Sequence, residues 1–537
     1  MWCTEEQAAT ATYRMQLALN NLSKWTEKWC LKINKEKSAA TLFTLSTQKA
    51  GKLTLGNEPL HYENEQTYLG VTFDKRLTWK AQIEKAESRA RRRLGMMRKL
   101  AGTSWGANER TLKQVYQGNV RPILEYGSGA YMSAAKSHLN SLEKVQNQAL
   151  RVITGAMRST PIDKMQKITG IAPLGQRRDS KVLIMFNKAK AMKDHPMHKR
   201  TEQRGQGRLK RTSFVREAKT LQENFKEELP GKIEPIGVEK DWREASRNFN
   251  VQTQVPGLNF KEEASKEVQR SLSLEMMEER YPKEIWTHAF TDGSASKAVR
   301  DGGAGVFIKY PGGISKTLSA ATGVHCTNYK AEVEALIVAA GTVGEDTDPD
   351  GQIVFLTDAL SVLQELEKSG IPRLENALGR IECARISLQW IPAHCGIPGN
   401  EEADRQAKLG AEKEQPETKA SFREVKTIIK SLHRPTKLTD GYQGLSRAEQ
   451  VCIFRLRTGH NRLNHHMHTR FRIGESPRCP CGAAAQTAEH ILQYCPTYSD
   501  LRKRLWPTVN QFEDKVYGTA VALRTTFKFI EETSLSM

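Results

Sequence analysis

Apolar residues recur at helical spacing through QAATATYRMQLALNNLSKWTEKW near the start of the chain, and IEKAESRARRRLGMMRKLAG repeats the pattern with a basic outer face. Both stretches predict amphipathic helices, because intervals of three and four residues put one apolar stripe against a core. Between them SAATLFTL, KLTLGNEPL and QTYLGVTFD predict short strands, leaving residues 1–180 mainly helical. The pattern weakens from about 195 to 285, where HKRTEQRGQGRLKRTSFVR is polar, basic and glycine-bearing and suits a linker or a strand-tracking surface. From about 285 the signal becomes compact α/β. IWTHAFTDG, GAGVFIKY, ISKTLSAATG, QIVFLTD and RISLQWIPA predict strands, while NYKAEVEALIVAAG, ALSVLQELEKS and NEEADRQAKLGAEK predict helices. A helical segment after about 415 leads to cysteines and histidines at 479–495, and no internal repeat occurs. The expected partition is a helical region 1–185, a basic irregular linker 186–284, an α/β domain 285–413 and a helical tail 414–537.

Composition narrows the function. A chain of 537 residues with 38% hydrophobic residues is long enough for several cores. Mean hydropathy is −0.59, no apolar run is long enough to span a bilayer, and MWCTEEQ is not a secretory leader. Nine scattered cysteines argue against a disulfide framework and for a reducing, intracellular setting, nucleus or cytoplasm. RARRR and RLKR are weak import signals. The net charge of +21 implies a polyanionic partner, RNA or DNA first, or else a basic solvated surface with no partner; for want of an apolar span, no membrane partner is expected. Oligomeric state is not legible.

Four acids and a histidine carry the chemistry. Asp292 stands where the buried strand of FTDGS is expected to stop, Glu332 lies on the apolar-striped face of a helix, and Asp358 ends QIVFLTD. Asp404 falls in the first turns of a helix opened by Asn400, ten residues after His394 on a Gly/Pro-punctuated loop. Taken singly, such acids cap helices or face solvent. Adjacent parallel strands ending in aspartate, however, set two carboxylates side by side at the carboxyl edge of a sheet, where α/β folds build sites. Clustered carboxylates repel unless a cation compensates, and oxygen-only ligation suits Mg²⁺ or Mn²⁺. Two such ions about 4 Å apart activate water and stabilise the leaving oxygen of a phosphodiester.

FTDGSA, TNYKAEVEAL, FLTDALSVL and IPAHCGIPGNEEAD, in that order, resemble the motifs of a type 1 RNase H domain. The resemblance implies an α/β fold with a mixed five-stranded sheet flanked by helices. It makes Asp292 the carboxylate bridging two Mg²⁺ (or Mn²⁺) ions, Glu332 and Asp358 its partners, and Asp404 a looser fourth ligand. His394 matches a flexible-loop histidine that moves protons or helps product leave. Backbone amides near Gly293 and Ser294, with Asn328, are the contact candidates for an RNA–DNA hybrid. Two positions depart from the family pattern: Ala359 replaces the usual serine, and Tyr329 replaces a polar residue that touches the hybrid backbone.

Near the end, RCPCGAAAQTAEHILQYCPTY supplies Cys479, Cys481, His490 and Cys495 as C-x-C-x8-H-x4-C. Cys3His is a common closed set for structural zinc; the alternative is unpaired core cysteines beside a capping histidine. His465, His466 and His468 in the upstream arginine/histidine-rich stretch are expected at the surface. RLRTGH followed by the cysteine motif resembles the tail after RNase H in Jockey-like non-LTR retrotransposon polyproteins, which favours zinc in a small helical module. LSKWTEKWCLKINKEKS, YLGVTFDKRLTW, VRPILEYGSGAY and LEKVQNQALRVITGA resemble the palm end and thumb of reverse transcriptases from the same elements. No aspartate precedes Asp74 and no Y-x-D-D motif occurs, so polymerase activity is not expected from this chain alone. Arg89, Arg91, Arg92, Arg93 and Lys99 form a basic helix face that either holds nucleic acid or is simply solvated.

The resemblance thus implies a nuclease that cuts the RNA strand of RNA–DNA hybrids, leaving 5′-phosphate and 3′-hydroxyl ends. The competing expectation is a catalytically idle nucleic-acid-binding remnant of a retrotransposon.

Overall fold

The computed structural model describes every residue except 35, 204–212, 237–247, 259–263, 297–298, 347–349, 369, 383–384, 434–439 and 509–510. Much of the basic stretch expected as a linker, RLKR included, lies outside the described residues. The chain forms two compact units, one built mainly from Met1–Lys181 and Arg434–Met537, the other from Val182–Gln206 and Val215–His433.

The second unit holds a six-stranded sheet. In chain order the sheet strands and the helices between and directly after them are β1 (Phe249–Gln252), α1 (Lys266–Arg280), β2 (Trp286–Ser296), β3 (Arg300–Lys309), β4 (Ser315–Gly323), α2 (Asn328–Asp346), β5 (Gln352–Thr357), α3 (Leu360–Lys368), α4 (Pro372–Leu378), β6 (Arg385–Trp390) and α5 (Pro398–Glu412). The strand order is β4-β3-β2-β5-β6-β1; β4, β3 and β2 pair antiparallel, and the remaining neighbours pair parallel. All five expected strands form. The sixth, β1, corrects the five-stranded expectation and comes from the stretch read as irregular. Its Phe249 and Val251 pack on the core, and its pairing covers the outer edge of β6, which would otherwise present open backbone groups. The helix α1 also rises from that stretch: Ser265 caps it, and Met276 and Met277 enter the same core.

Two glycines set the spacing that the site needs. A Cβ at Gly305 of β3 would lie 2.0 Å from the Ala403 carbonyl oxygen, so α5 rests directly on the strand backbone there. A Cβ at Gly293 of β2 would lie 2.2 Å from the Glu332 nitrogen, so the start of α2 presses equally close. Leu336, Ala339 and Val343 of α2, with Val306, Ile353 and Phe355 of the sheet, are fully buried beneath them. Burial of these side chains stabilises the packing by roughly 1.5–3 kcal/mol for each large aliphatic or aromatic residue.

The sequence expectation separates 1–185 from 414–537, whereas the structure joins most of the two in one core. Ala90, Leu94, Leu142 and Leu150 of the helices Lys80–Arg98 and Lys136–Thr154 cluster with Ile453, Phe454, Leu523 and Phe529 of the tail. Buried Arg447 ties them polarly: its Nη2 donates to the Val152 carbonyl at 2.7 Å, and Nη1 donates to that of Ile153. These carbonyls lie in the last turn of a helix, where backbone acceptors lack intrahelical donors and a cation is favoured.

Candidate active site and metal centres

Asp292 does not end its strand; β2 continues to Ser296, and Asp292 pairs with Gly305 within it. The parallel register Thr291↔Thr357 sets Asp358, the residue after β5, beside Asp292. Glu332 comes from the beginning of α2, which Thr327 opens by accepting the Lys330 N–H at 3.3 Å. One carboxylate oxygen from each of Asp292, Glu332 and Asp358 lies within 4.8 Å of the others. Asp404 on α5 shares a hydrogen bond with Asp292, and its Oδ2 accepts from Lys408 Nζ at 2.5 Å.

The electrostatics of this group are unfavourable without a counter-charge. Burial first, then the negative charges of Asp358 and Asp404, push the Asp292 carboxyl up to about 8. Glu332 is held well above the usual carboxylate range by burial, Asp292 and Asp358, with the Gly293 N–H pulling the other way. Glu332 Oε2 is buried and accepts no hydrogen bond. A buried acceptor left unpaired costs about 1–3 kcal/mol, and a hard cation among oxygen donors removes that cost and the mutual repulsion together. The donor set therefore fits Mg²⁺ or Mn²⁺.

His394 lies exposed on its loop in the left-handed backbone region at φ 48°. It forms a second group with Asp404 and Glu401, again with ligand atoms within 4.8 Å, so Asp404 belongs to both groups. Sequence reasoning passed over Glu401, although it stands three residues before Asp404 and thus on the same helix face. Its neighbour Glu402 is spent on Arg405 and Gln406. Of the backbone-contact candidates, Gly293 is fixed against α2, Ser294 pairs with Gly303, and Asn328 is exposed at the start of α2. Tyr329 carries the Arg423 guanidinium 4.5 Å from its ring centroid, and Ala359 is buried.

The tail gathers Cys479, Cys481, His490 and Cys495 with donor atoms within 4.8 Å of one another. Cys479 and Cys495 sulfurs are 3.8 Å apart, and Cys481 Sγ lies 3.2 Å from His490 Nε2. For Zn–S bonds near 2.3 Å, tetrahedral sulfurs stand about 3.8 Å apart. The x4 spacing works because His490–Tyr494 is a wide π-helical turn, closed by the Cys495 N–H to His490 carbonyl bond of 2.7 Å. Lys515 Nζ donates to the Leu492 carbonyl at 2.8 Å and to Gln493 Oε1 at 2.9 Å, anchoring that turn. Backbone donation from Ala483 lowers the Cys481 thiol, while burial raises that of Cys479.

Arg89, Arg91, Arg92, Arg93 and Lys99 are all exposed at or beyond the helix Lys80–Arg98 of the other unit. Arg91 is engaged by Glu87 at 2.7 Å, whereas Arg89 and Arg92 line a shallow groove with Glu65, Glu84 and Lys85.

Parts of the chain are similar to known proteins. The RNase H family model matches residues 285–412. The RNA-directed DNA polymerase from mobile element jockey of Drosophila melanogaster is 30% identical over 180 residues, 33% of this chain and 20% of that protein. The probable RNA-directed DNA polymerase from transposon BS of the same organism is 33% identical over 142 residues, 26% of this chain and 16% of that protein. The matched stretches thus span a fifth or less of these relatives. RNase H1 of Halobacterium salinarum NRC-1 is similar at 21% identity, covering 23% of this chain and 96% of that one, with a TM-score of 0.20. Residues 285–412 are an RNase H domain. Stretches of the chain are similar to the RNA-directed DNA polymerases of Jockey-like retrotransposons. Among the described residues no helix is long and apolar enough to cross a membrane.

Proposed function

We propose that the domain at 285–412 is a metal-dependent endonuclease hydrolysing the RNA strand of RNA–DNA hybrids. The observation that carries this reading is the unpaired Glu332 oxygen within a group of three carboxylates, two of which, Asp292 and Glu332, have their ordinary ionisation suppressed. Divalent ions bound there would supply Lewis acidity at the phosphate and a more acidic water. Asp292, Glu332 and Asp358 would hold them, and Asp404, kept in place by Lys408, would complete the set at the rim. His394, on an exposed loop within reach of Asp404, would carry a proton to or from the reacting oxygens. Cleavage on the 5′ side of the scissile phosphate would leave 5′-phosphate and 3′-hydroxyl ends. Contacts from Ser294, Asn328 and the Gly293 backbone to 2′-hydroxyls would select RNA over DNA.

The same reading extends to the other unit. Structural zinc would sit in the Cys479, Cys481, His490, Cys495 cluster, and Arg89, Arg92 and Lys99 would bind RNA or DNA backbone. The abundance of unpaired thiols suits a reducing, intracellular location.

A second reading, an idle remnant that binds without cutting, draws on Tyr329, which carries Arg423 where a polar hybrid contact is expected. Labelled hybrid, Mg²⁺ and an Asp292→Asn variant separate the two. The nuclease produces fragments only with the unaltered chain while both proteins bind; binding by both with cutting by neither establishes the remnant.

A further inference from the structure

Sequence reasoning sends His465, His466 and His468 to the surface, yet His466 is 5% exposed. It faces two other polar side chains. Ser159 Oγ, in the turn before the helix Ile162–Thr169, lies 3.0 Å from His466 Nε2 and 3.0 Å from His460 Nδ1, and the two nitrogens are 3.2 Å apart. Three donor atoms from segments some 300 residues apart in sequence thus form a nearly equilateral triangle.

We propose that Ser159, His460 and His466 form a second transition-metal site, taking a divalent ion of the zinc, cobalt or nickel class with water as fourth ligand. The spacing is the first reason. Metal–nitrogen bonds near 2.0–2.1 Å in a tetrahedron put neighbouring donors about 3.3 Å apart, so each edge here needs to open by only a few tenths of an ångström. Lone-pair direction is the second. His466 Nδ1 lies 2.6 Å from the Asn461 carbonyl oxygen, which only accepts, so Nδ1 carries the proton and Nε2 offers its lone pair to the triangle. A ligating histidine is oriented in the same way, by its other nitrogen donating to a carbonyl. That carbonyl is itself held, because Asn461 is buried and its Oδ1 accepts the Leu463 N–H at 3.0 Å.

The surroundings support neutral imidazoles. Burial lowers the affinity of both rings for protons, and the charge of Arg470 acts in the same direction. His466 forms the inner wall, while half-buried His460 and Ser159 leave the outer side accessible to solvent. Gly459, in the left-handed region at φ 68°, ends the helix Arg447–Thr458 and turns His460 back toward Ser159. None of these contacts uses the Cys3His cluster or the carboxylates.

The test compares the full chain with His460→Gln and Ser159→Ala after equilibration with micromolar Zn²⁺ in millimolar Mg²⁺, the latter filling the carboxylate site. Metal analysis should find one zinc fewer in His460→Gln than in the unaltered chain. With Co²⁺ as probe, the thiolate-to-metal absorption of the cysteine cluster should be unchanged. Ser159→Ala should hold the ion about tenfold more weakly. Equal zinc counts in the unaltered chain and a folded His460→Gln, checked by near-ultraviolet circular dichroism, would overturn the proposal. If His460→Gln does not fold, unchanged zinc affinity in Ser159→Ala overturns it instead. Because the count is a difference, it stands whatever occupies the cysteines.

Discussion

Asp292→Asn should stabilise the metal-free RNase H domain at pH 8 while abolishing cleavage. Asp292 is 7% exposed, and its carboxyl moves from an ordinary 3.8 to about 8, first through burial and then through Asp358 and Asp404. Between those values the folded chain keeps a proton that the unfolded chain releases. Stability without metal therefore falls as pH rises from about 4 to about 8, by up to ~1.4 kcal/mol for each pH unit, or roughly 5 kcal/mol in all. Water entry and side-chain relaxation weaken buried repulsion, so about 2 kcal/mol is the expected gain from asparagine at pH 8. At pH 5.5 the aspartate is already neutral and the gain should nearly vanish. Magnesium acts oppositely to the proton: it should stabilise the unaltered domain strongly at pH 8 and hardly at pH 5.5.

Because the chain forms two units, a single global melt would mix their transitions. Hydrogen exchange of amides in 286–296 and 328–346, corrected for intrinsic rates, reports on the domain alone. Slower exchange for Asp292→Asn in chelator at pH 8, with no difference at pH 5.5, is the expected outcome. Faster exchange for the variant at pH 8, or equal magnesium protection at both pH values, refutes the reasoning that these carboxylates are held together against their own repulsion.

The other predictions use the same geometry. Gly293→Ala should displace α2 and carry Glu332 out of the cluster, because the new Cβ would meet the Glu332 nitrogen at 2.2 Å; cleavage should fall at least about a hundredfold, and near-normal turnover would contradict that role. His394→Ala should slow cleavage about ten- to a hundredfold yet leave Mg²⁺ affinity within about twofold by calorimetry, as the proposed role in moving protons rather than holding the inner ions requires. Cys479→Ser combined with Cys495→Ser should remove one zinc per chain by metal analysis, and a count unchanged by the pair would retire the assignment. Lys515→Ala should destabilise the unit containing the cysteine cluster by about 2 kcal/mol in denaturant titration, since the Leu492 carbonyl and Gln493 lose a buried donor.

The parts legible in the sequence were those in which a local pattern and a chemical requirement coincided. In QIVFLTD the buried run specifies a strand between other strands, and the acid after it can only stand at the sheet edge, so Asp358 was placeable without coordinates. Asp292 is a candidate legible from its neighbours, but its place in the strand is not, because pairing with the glycines of β3 carries β2 four residues past the point where hydrophobicity fades. β1 was missed for the opposite reason: four residues with two apolar side chains carry little signal, and what makes them a strand is the open edge of β6, a tertiary fact.

The tail shows how far this limit reaches. Its Cys3His spacing is local and was read, yet the shared core with the helices of 80–154 depends on contacts separated by some 300 residues. The same long-range folding brings Ser159 against His460 and His466, and no window of sequence contains all three. A histidine-rich stretch reads as surface because histidine is polar and uncharged patterns are sparse there. Only the buried acceptor on Asn461 gives His466 a fixed tautomer and so a direction for its lone pair. Chemistry assembled from one strand end or one turn is therefore visible in the chain, whereas chemistry assembled by a core appears only when the core does.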